Sequence, residues 1–115
     1  ILASDNDLDA VKVTQQNARL NAVSPQIEAL LATGMAHPKL RDHRPYDLIF
    51  ANILARPLHG LVGDFDRALA PQGRLILSGL LHEHARPLLA RYRQHGFYPE
   101  KQRQIGAWTS LLLRR

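Results

Sequence analysis

Cysteine is absent from the 115 residues, so the chain has neither disulfides nor thiolate metal ligands. No apolar run approaches the roughly 20 residues that a transmembrane helix needs, and we expect no membrane partner. The opening segment, Ile1–Asp5, lacks basic residues and reaches an acid too early for a signal peptide. Together these absences favour a reducing, cytoplasmic compartment.

Glycine motifs for phosphate binding are also absent. The seven glycines form neither G-x-G-x-x-G nor G-x-x-x-x-G-K-[ST], and Gly60 and Gly63 fall inside a helical pattern. The chain opens on Ile1 within an apolar strand pattern, with no initiator methionine and no polar lead-in. We interpret it as a fragment whose first strand and glycine-rich turn are missing.

The formal net charge of +5 is unevenly distributed. Residues 1–58 hold six acids and six Lys/Arg, whereas residues 59–115 hold four acids and nine Lys/Arg. A basic half can indicate nucleic-acid binding. Here the twelve arginines are scattered singly, with few aromatic residues between them. We therefore interpret them as a solvated surface and do not expect a nucleic-acid partner.

Hydrophobic periodicity predicts alternating strands and helices. The predicted strands are Ile1–Ser4, Ile27–Leu31, Tyr46–Ala51, Arg74–Ser78, Phe97–Arg103 and Trp108–Leu113; the predicted helices are Leu8–Asn21, Arg56–Leu69 and Glu83–His95. Between the second and third strands we expect a loop with one helical turn. This alternation is typical of an α/β fold with a Rossmann-like, mostly parallel sheet.

Four local expectations accompany this assignment. Tyr46–Ala51 is apolar almost throughout, which predicts burial on both faces. Pro71–Gly73 is expected to form a turn, and Pro87 to lie in the first turn of its helix. Trp108 is expected to pack in the core or against the sheet.

Two strand ends carry polar side chains. Asp5 follows the first strand, and a carboxylate there can accept hydrogen bonds from both hydroxyls of a ribose. The alternative is a helix-capping aspartate, but Asp7 suits that role and would leave Asp5 free. Asn52 follows the Tyr46–Ala51 strand in an apolar setting, where its amide must find partners. It could orient a nucleophilic nitrogen or simply close a turn.

The remaining polar motifs carry less chemistry. Thr33-Gly34, after the second strand, could approach an adenine ring or be an ordinary turn. His82-Glu83-His84 has the composition of a metal site, but a spacing of two does not place both imidazoles on one helical face. We therefore expect no metal ion. Ser78-Gly79 lacks the flanking residues of a nucleophile elbow.

Several segments resemble the bacterial ribosomal protein L11 methyltransferase family. They are residues 3–11, 17–21, 46–58 and 75–81. The Ala-Asn-Ile-Leu-Ala motif at 51–55 is fairly specific to that family, whereas the pattern around Asp5 is shared by class I methyltransferases at large. The likeness extends over essentially the whole chain.

The resemblance implies a class I fold that binds S-adenosylmethionine, with sheet order 3-2-1-4-5-7-6 and strand seven antiparallel. Residues 1–115 would supply strands two to seven of the catalytic domain, without the family's N-terminal substrate-recognition domain. It also implies that Asp5, Asn6, Thr33, Gly34 and Asn52 contact the cofactor, and that Asn52 is catalytic. Many relatives carry an acid where Thr33 stands, which puts the adenine contact in doubt.

The implied activity is N-methylation of amines, the N-terminal α-amine and lysines, on a ribosomal large-subunit protein. Methyl transfer depends mainly on alignment and needs no metal or covalent nucleophile, but the residues indicate no general base. Two alternatives stay open: a class I methyltransferase that acts on a nucleic-acid base, and a non-enzymatic Rossmann-like remnant or binding module. The missing strand would expose sheet edges, so we expect weak cofactor binding by this chain alone and self-association.

Overall fold

A computed structural model describes all residues from Ile1 to Arg115. The chain forms two compact units, Ile1–His43 and Arg44–Arg115. Its strands divide into a two-stranded and a four-stranded sheet. The predicted α/β alternation is confirmed, but the strands form two separate sheets instead of one.

The first unit contains two parallel strands and two helices. Its elements are β1 (Leu2–Asp5), α1 (Leu8–Leu20), a 3-10 turn (Ser24–Gln26), β2 (Glu28–Leu31) and α2 (Pro38–Asp42). Asp7 caps α1 as predicted, because its side chain accepts a hydrogen bond from the Asp9 N–H. α1 buries Val11 and Ala18, whereas no residue of β1 is fully buried.

The second unit is a mixed sheet with two helices. Its elements are β3 (Tyr46–Asn52), α3 (Ala55–Ala68), β4 (Leu69–Leu81), α4 (His82–Arg93), β5 (Tyr98–Ile105) and β6 (Trp108–Arg114). The strand order is β3-β4-β6-β5. β3 and β4 are parallel, and β6 runs antiparallel to both of its neighbours. The predicted antiparallel last strand is therefore confirmed, and β5 and β6 form a hairpin.

The core of this unit lies where α3 and α4 meet the sheet. Leu58 and Val62 of α3, Leu88 and Tyr92 of α4, and Phe97 are almost fully buried. The Tyr92 and Phe97 rings meet edge to face with centroids 5.4 Å apart. Burial of apolar side chains along one stripe of each helix is the main stabilising contribution here.

β3 departs from its predicted burial. Leu48 is 55% exposed and Phe50 63% exposed, so one face of this apolar strand is open. The prediction of burial on both faces is wrong because no element packs on the face that carries Leu48 and Phe50. Sequence apolarity reports what a strand is suited to contact, not what is present to contact it.

Two turn residues behave differently from the predictions. Pro87 lies in the sixth position of α4 rather than in its first turn, because α4 begins at His82. The predicted Pro71–Gly73 turn is an irregular segment within β4, where Gln72 has a φ of +62°. It coincides with a shift in the β3–β4 register, which falls between Tyr46 and Leu48 of β3. Gly96, three residues after the end of α4, has the left-handed conformation that favours glycine, with a φ of +82°. None of the helices has both the length and the apolarity to cross a bilayer.

Candidate functional site

Asp5 stands at the carboxyl end of β1, exposed to solvent. Its Oδ1 accepts a hydrogen bond of 2.9 Å from the Asp7 N–H. The expectation that Asp7 leaves Asp5 free is therefore only half right, because Asp5 shapes the strand-to-helix turn with one oxygen. Its Oδ2 has no partner within the protein, so one carboxylate oxygen remains available for a ligand.

The Thr33-Gly34 turn lies at the same end of the two-stranded sheet. Asp5 pairs in register with Leu31, and the Asp5 carbonyl accepts from the Ala32 N–H at 2.8 Å. Gly34 has a φ of +56°, which favours glycine. Parallel pairing therefore brings this turn close to Asp5. Asn6 is exposed between β1 and α1.

Asn52 is the last residue of β3 and pairs in register with Ser78 of β4. Its side chain is exposed and makes no hydrogen bond within the protein. The expected apolar enclosure is wrong, because Leu54 beside it is 73% exposed and water can reach the amide. Asn52 therefore presents a free acceptor and two free donors at the strand end.

Gly79 leaves room for this amide. It has a φ of +77°, and a Cβ atom there would lie 3.1 Å from Asn52 Oδ1 and 3.0 Å from the Ile53 carbonyl oxygen. An L side chain is strained at this φ and would press on the Asn52 segment. The absence of a side chain at Gly79 thus allows the carboxyl ends of β3 and β4 to lie close together.

A pocket of about 740 Å³ opens beside Gly79. We call it the Trp108 pocket. Residues from both helices and from strands β4 and β6 line it, namely Leu54, Arg56, His59, Gly79, Leu81, His84 and Trp108, with Ala55. The indole of Trp108 is 57% exposed. Of the two predicted alternatives, core or sheet packing, the core position of Trp108 is therefore wrong, because the antiparallel pairing of β6 places it at the pocket.

Sequence reasoning missed the two histidines of this pocket. His59 belongs to α3 and His84 to α4, and both are partly buried. His84 Nε2 lies 3.7 Å from a carboxylate oxygen of Glu83. No sequence spacing relates His59 to His84, and only the packing of α3 against α4 brings both to one pocket. The only sequence signal for them was that each lies in a predicted helix that directly follows a predicted parallel strand.

Comparison with known families gives the same assignment along the whole chain. The family model for ribosomal protein L11 methyltransferase (PrmA) matches residues 1–115. A ribosomal protein L11 methyltransferase of Bradyrhizobium diazoefficiens is 45% identical over 115 residues, which are 100% of this chain and 39% of the relative. That of Rhodopseudomonas palustris is 44% identical over 113 residues, 98% of this chain and 38% of the relative. The chain thus spans about two fifths of these relatives.

Solved structures agree. The ribosomal protein L11 methylase of Lactobacillus delbrueckii subsp. bulgaricus superposes with a TM-score of 0.90 at 26% identity, covering 99% of this chain and 56% of that one. A precorrin-6y C5,15-methyltransferase of Geobacter metallireducens, with a TM-score of 0.76 at 16% identity, covers 100% of this chain and 65% of that one, and shares the fold alone. Because the family model covers every residue, this chain belongs to the ribosomal protein L11 methyltransferase family.

Proposed function

We propose that the protein containing this chain is an S-adenosylmethionine-dependent N-methyltransferase acting on amines of a ribosomal large-subunit protein. The family match over all 115 residues carries this proposal. The proposed acceptors are the N-terminal α-amine and lysine side chains. A ribosomal-protein acceptor places the reaction in the cytoplasm.

The residues present suit this cofactor. Asp5 offers one unpaired carboxylate oxygen, which could bind a ribose hydroxyl. Thr33 and Gly34 turn beside Asp5, where an adenine ring would be held, and Asn6 borders the same strand end. The cofactor, when bound, supplies an electrophilic methyl group on a sulfonium.

Asn52 would orient the polar groups that meet in the reaction. Its amide is exposed and without protein partners, so its donors and its acceptor remain available to the acceptor amine or to the methionine end of the cofactor. The rate of a displacement depends on alignment within a few tenths of an ångström. Gly79 supports Asn52 by leaving the space beside its Oδ1 empty.

We also propose that residues 1–115 form part of a catalytic domain rather than all of it. β3 pairs on one side only, and its Phe50 side chain is 63% exposed. An unpaired, apolar strand edge is a template for another strand. The matched relatives are longer than this chain and have the length to supply one. We therefore expect the isolated chain to be inactive and to self-associate through this edge.

The substitution Asn52→Ala in the intact protein tests the assignment. We expect kcat for methyl transfer to a ribosomal large-subunit protein to fall by about 100-fold, as when one aligned polar contact is lost in a transition state. Asn21→Ala, at the exposed end of α1, is the matched control and should leave kcat unchanged. Equal rates for Asn52→Ala and the unsubstituted protein would exclude the proposed role of Asn52.

A second experiment separates the enzyme from a non-enzymatic binding module. Calorimetric titration with S-adenosylmethionine should show binding by the intact protein and little or none by residues 1–115 alone. Absence of both binding and methyl transfer in the intact protein would remove the methyltransferase proposal. Micromolar binding by the isolated chain would show that a further strand is not needed.

A further inference from the structure

We propose that His59 and His84 of the Trp108 pocket take the proton from the acceptor amine, and so act as the general base that the sequence alone did not indicate. This inference rests on the proposed function. A lysine ammonium has no lone pair with which to attack a methyl group, and its ordinary pKa is about 10.4. The site must therefore receive one proton for each lysine that is methylated.

The position of the pocket relates the two imidazoles to Asn52. Gly79 is part of the pocket wall, and its backbone touches the Asn52 segment, with Oδ1 only 3.1 Å from the position of a Cβ atom. An amine oriented by Asn52 would therefore lie beside the pocket wall that Gly79 forms. His59 of α3 and His84 of α4 line the same pocket.

The lining chemistry suits a lysine side chain. Leu54, Leu81 and the indole of Trp108 are apolar surfaces for its methylene stem. The Arg56 guanidinium is the permanent charge of the pocket, and it favours the neutral form both of the amine and of the imidazoles, so the proton must leave for solvent. Neither β4 nor β6 adds a titratable group, since they contribute Gly79, Leu81 and Trp108.

The histidines can accept and release the proton. An imidazole nitrogen takes a proton from the ammonium, and the electron pair of the broken N–H bond stays on the amine nitrogen as the attacking lone pair. The imidazolium then passes the proton to solvent, which returns the histidine to its neutral form for the next transfer. The carboxylate of Glu83 lies 3.7 Å from His84 Nε2.

A binding experiment tests the contact without turnover. n-Butylamine, which copies the end of a lysine side chain, is titrated into the intact protein while histidine ring protons are followed by NMR. We expect the resonances of His59 and His84 to shift, with quenching of Trp108 fluorescence. His82, two residues from His84 but outside the pocket, should not respond. Equal shifts at all histidines, or none at His59 and His84, would overturn the proposal.

A pH profile tests the chemistry. In the double variant His59→Gln, His84→Gln, kcat for lysine methylation near neutral pH should fall roughly 100-fold, the usual contribution of a general base. The loss should shrink as the pH approaches about 10, where lysine deprotonates unaided. His82→Gln is the control and should keep the original profile.

The failures remain distinguishable. An unchanged pH profile in the double variant overturns the histidine inference while the methyltransferase stands. No methyl transfer by the unsubstituted protein at any pH removes the proposed function itself. Should the double variant not fold, the two single variants carry the test, and each must shift the acid limb of the profile for the proposal to survive.

Discussion

The side chain of Asn52 lies against Gly79, at a position where a residue with a side chain would crowd it. Oδ1 of Asn52 lies 3.1 Å from the position that a Cβ atom of Gly79 would occupy, and Gly79 has a φ of +77°. The carboxyl ends of two parallel strands therefore approach closely at the candidate site. This relationship gives a direct way to disturb Asn52 without replacing it.

The substitution Gly79→Ala should lower both stability and methyl transfer. The left-handed φ costs an L residue about 1–2 kcal/mol, and the Ile53 carbonyl oxygen, 3.0 Å from the new Cβ, must move. Chemical denaturation and kcat measurements on the same sample check this. Gly60→Ala is the matched control, because nothing lies within 4 Å of its Cβ position in helix α3. It should stabilise the protein by about 1 kcal/mol, and a Gly79→Ala protein of unchanged stability would contradict the steric argument.

Tyr92 links α4 to α3 through one buried hydrogen bond. Its hydroxyl donates to the Leu58 carbonyl at 2.8 Å, and burial raises the pKa of the Tyr92 phenol above its ordinary value of 10.0. Tyr92→Phe should reduce the free energy of unfolding by about 1 kcal/mol at neutral pH. Tyr98→Phe, at an exposed position on β5, should change it little.

The same phenol makes stability depend on alkaline pH. Because the folded-state pKa of Tyr92 is raised, its contribution is fully present below pH 10.0 and is lost as the pH rises above that value. Tyr92→Phe should flatten this alkaline loss in thermal melts. An identical alkaline slope in Tyr92→Phe and the unsubstituted protein would show that Tyr92 ionises as readily folded as unfolded.

Thr109 buries a hydroxyl without a partner. The residue is 1% exposed, and its Oγ1 has no hydrogen-bond acceptor or donor nearby. Thr109→Val replaces that hydroxyl with a methyl group and should raise the free energy of unfolding by about 1 kcal/mol. Thr109→Ser keeps the hydroxyl and deletes a buried methyl, so it should destabilise by about 0.8 kcal/mol. Loss of stability in the valine variant would indicate that the hydroxyl is satisfied after all.

The Glu28–Lys39 pair predicts a small dependence on acid. The hydrogen bond from the Lys39 ammonium lowers the pKa of the Glu28 carboxyl below its ordinary value of 4.5. A lowered folded-state pKa adds stability above pH 4.5, and this is lost as the pH falls through the folded-state value. Glu28→Gln should reduce the dependence of the thermal melting midpoint on pH in that acid range.

A double-mutant cycle isolates this pair. In a Lys39→Met background, Glu28→Gln should have a much smaller effect on the acid dependence, because the ammonium that contributes most to lowering the pKa is gone and only His43 and His37 still lower it. A full effect of Glu28→Gln in that background would assign the acid dependence to other groups.

The local elements were predictable because their causes are local. The Asp7 cap of α1 and the apolar helix stripes both depend on neighbours within a few residues. Asp5 and Asn52 were found because each follows an apolar strand, and the carboxyl ends of strands are where such sheets bind ligands. The resemblance to the methyltransferase family rested on the same segments.

Other features depended on contacts that no spacing encodes. The apolar sequence around Phe50 predicts burial, but no element of this chain covers its side chain. Trp108 is a residue type expected in a core, although the register of β6 places it at a pocket. His59 and His84 are 25 residues apart along the numbering, and only the packing of α3 against α4 brings both to one pocket. The sequence by itself determined the elements and the polar strand ends, because hydrophobic period and capping act over a few residues. Tertiary structure decided burial, strand pairing and the pocket, because each depends on which distant surfaces are present to meet.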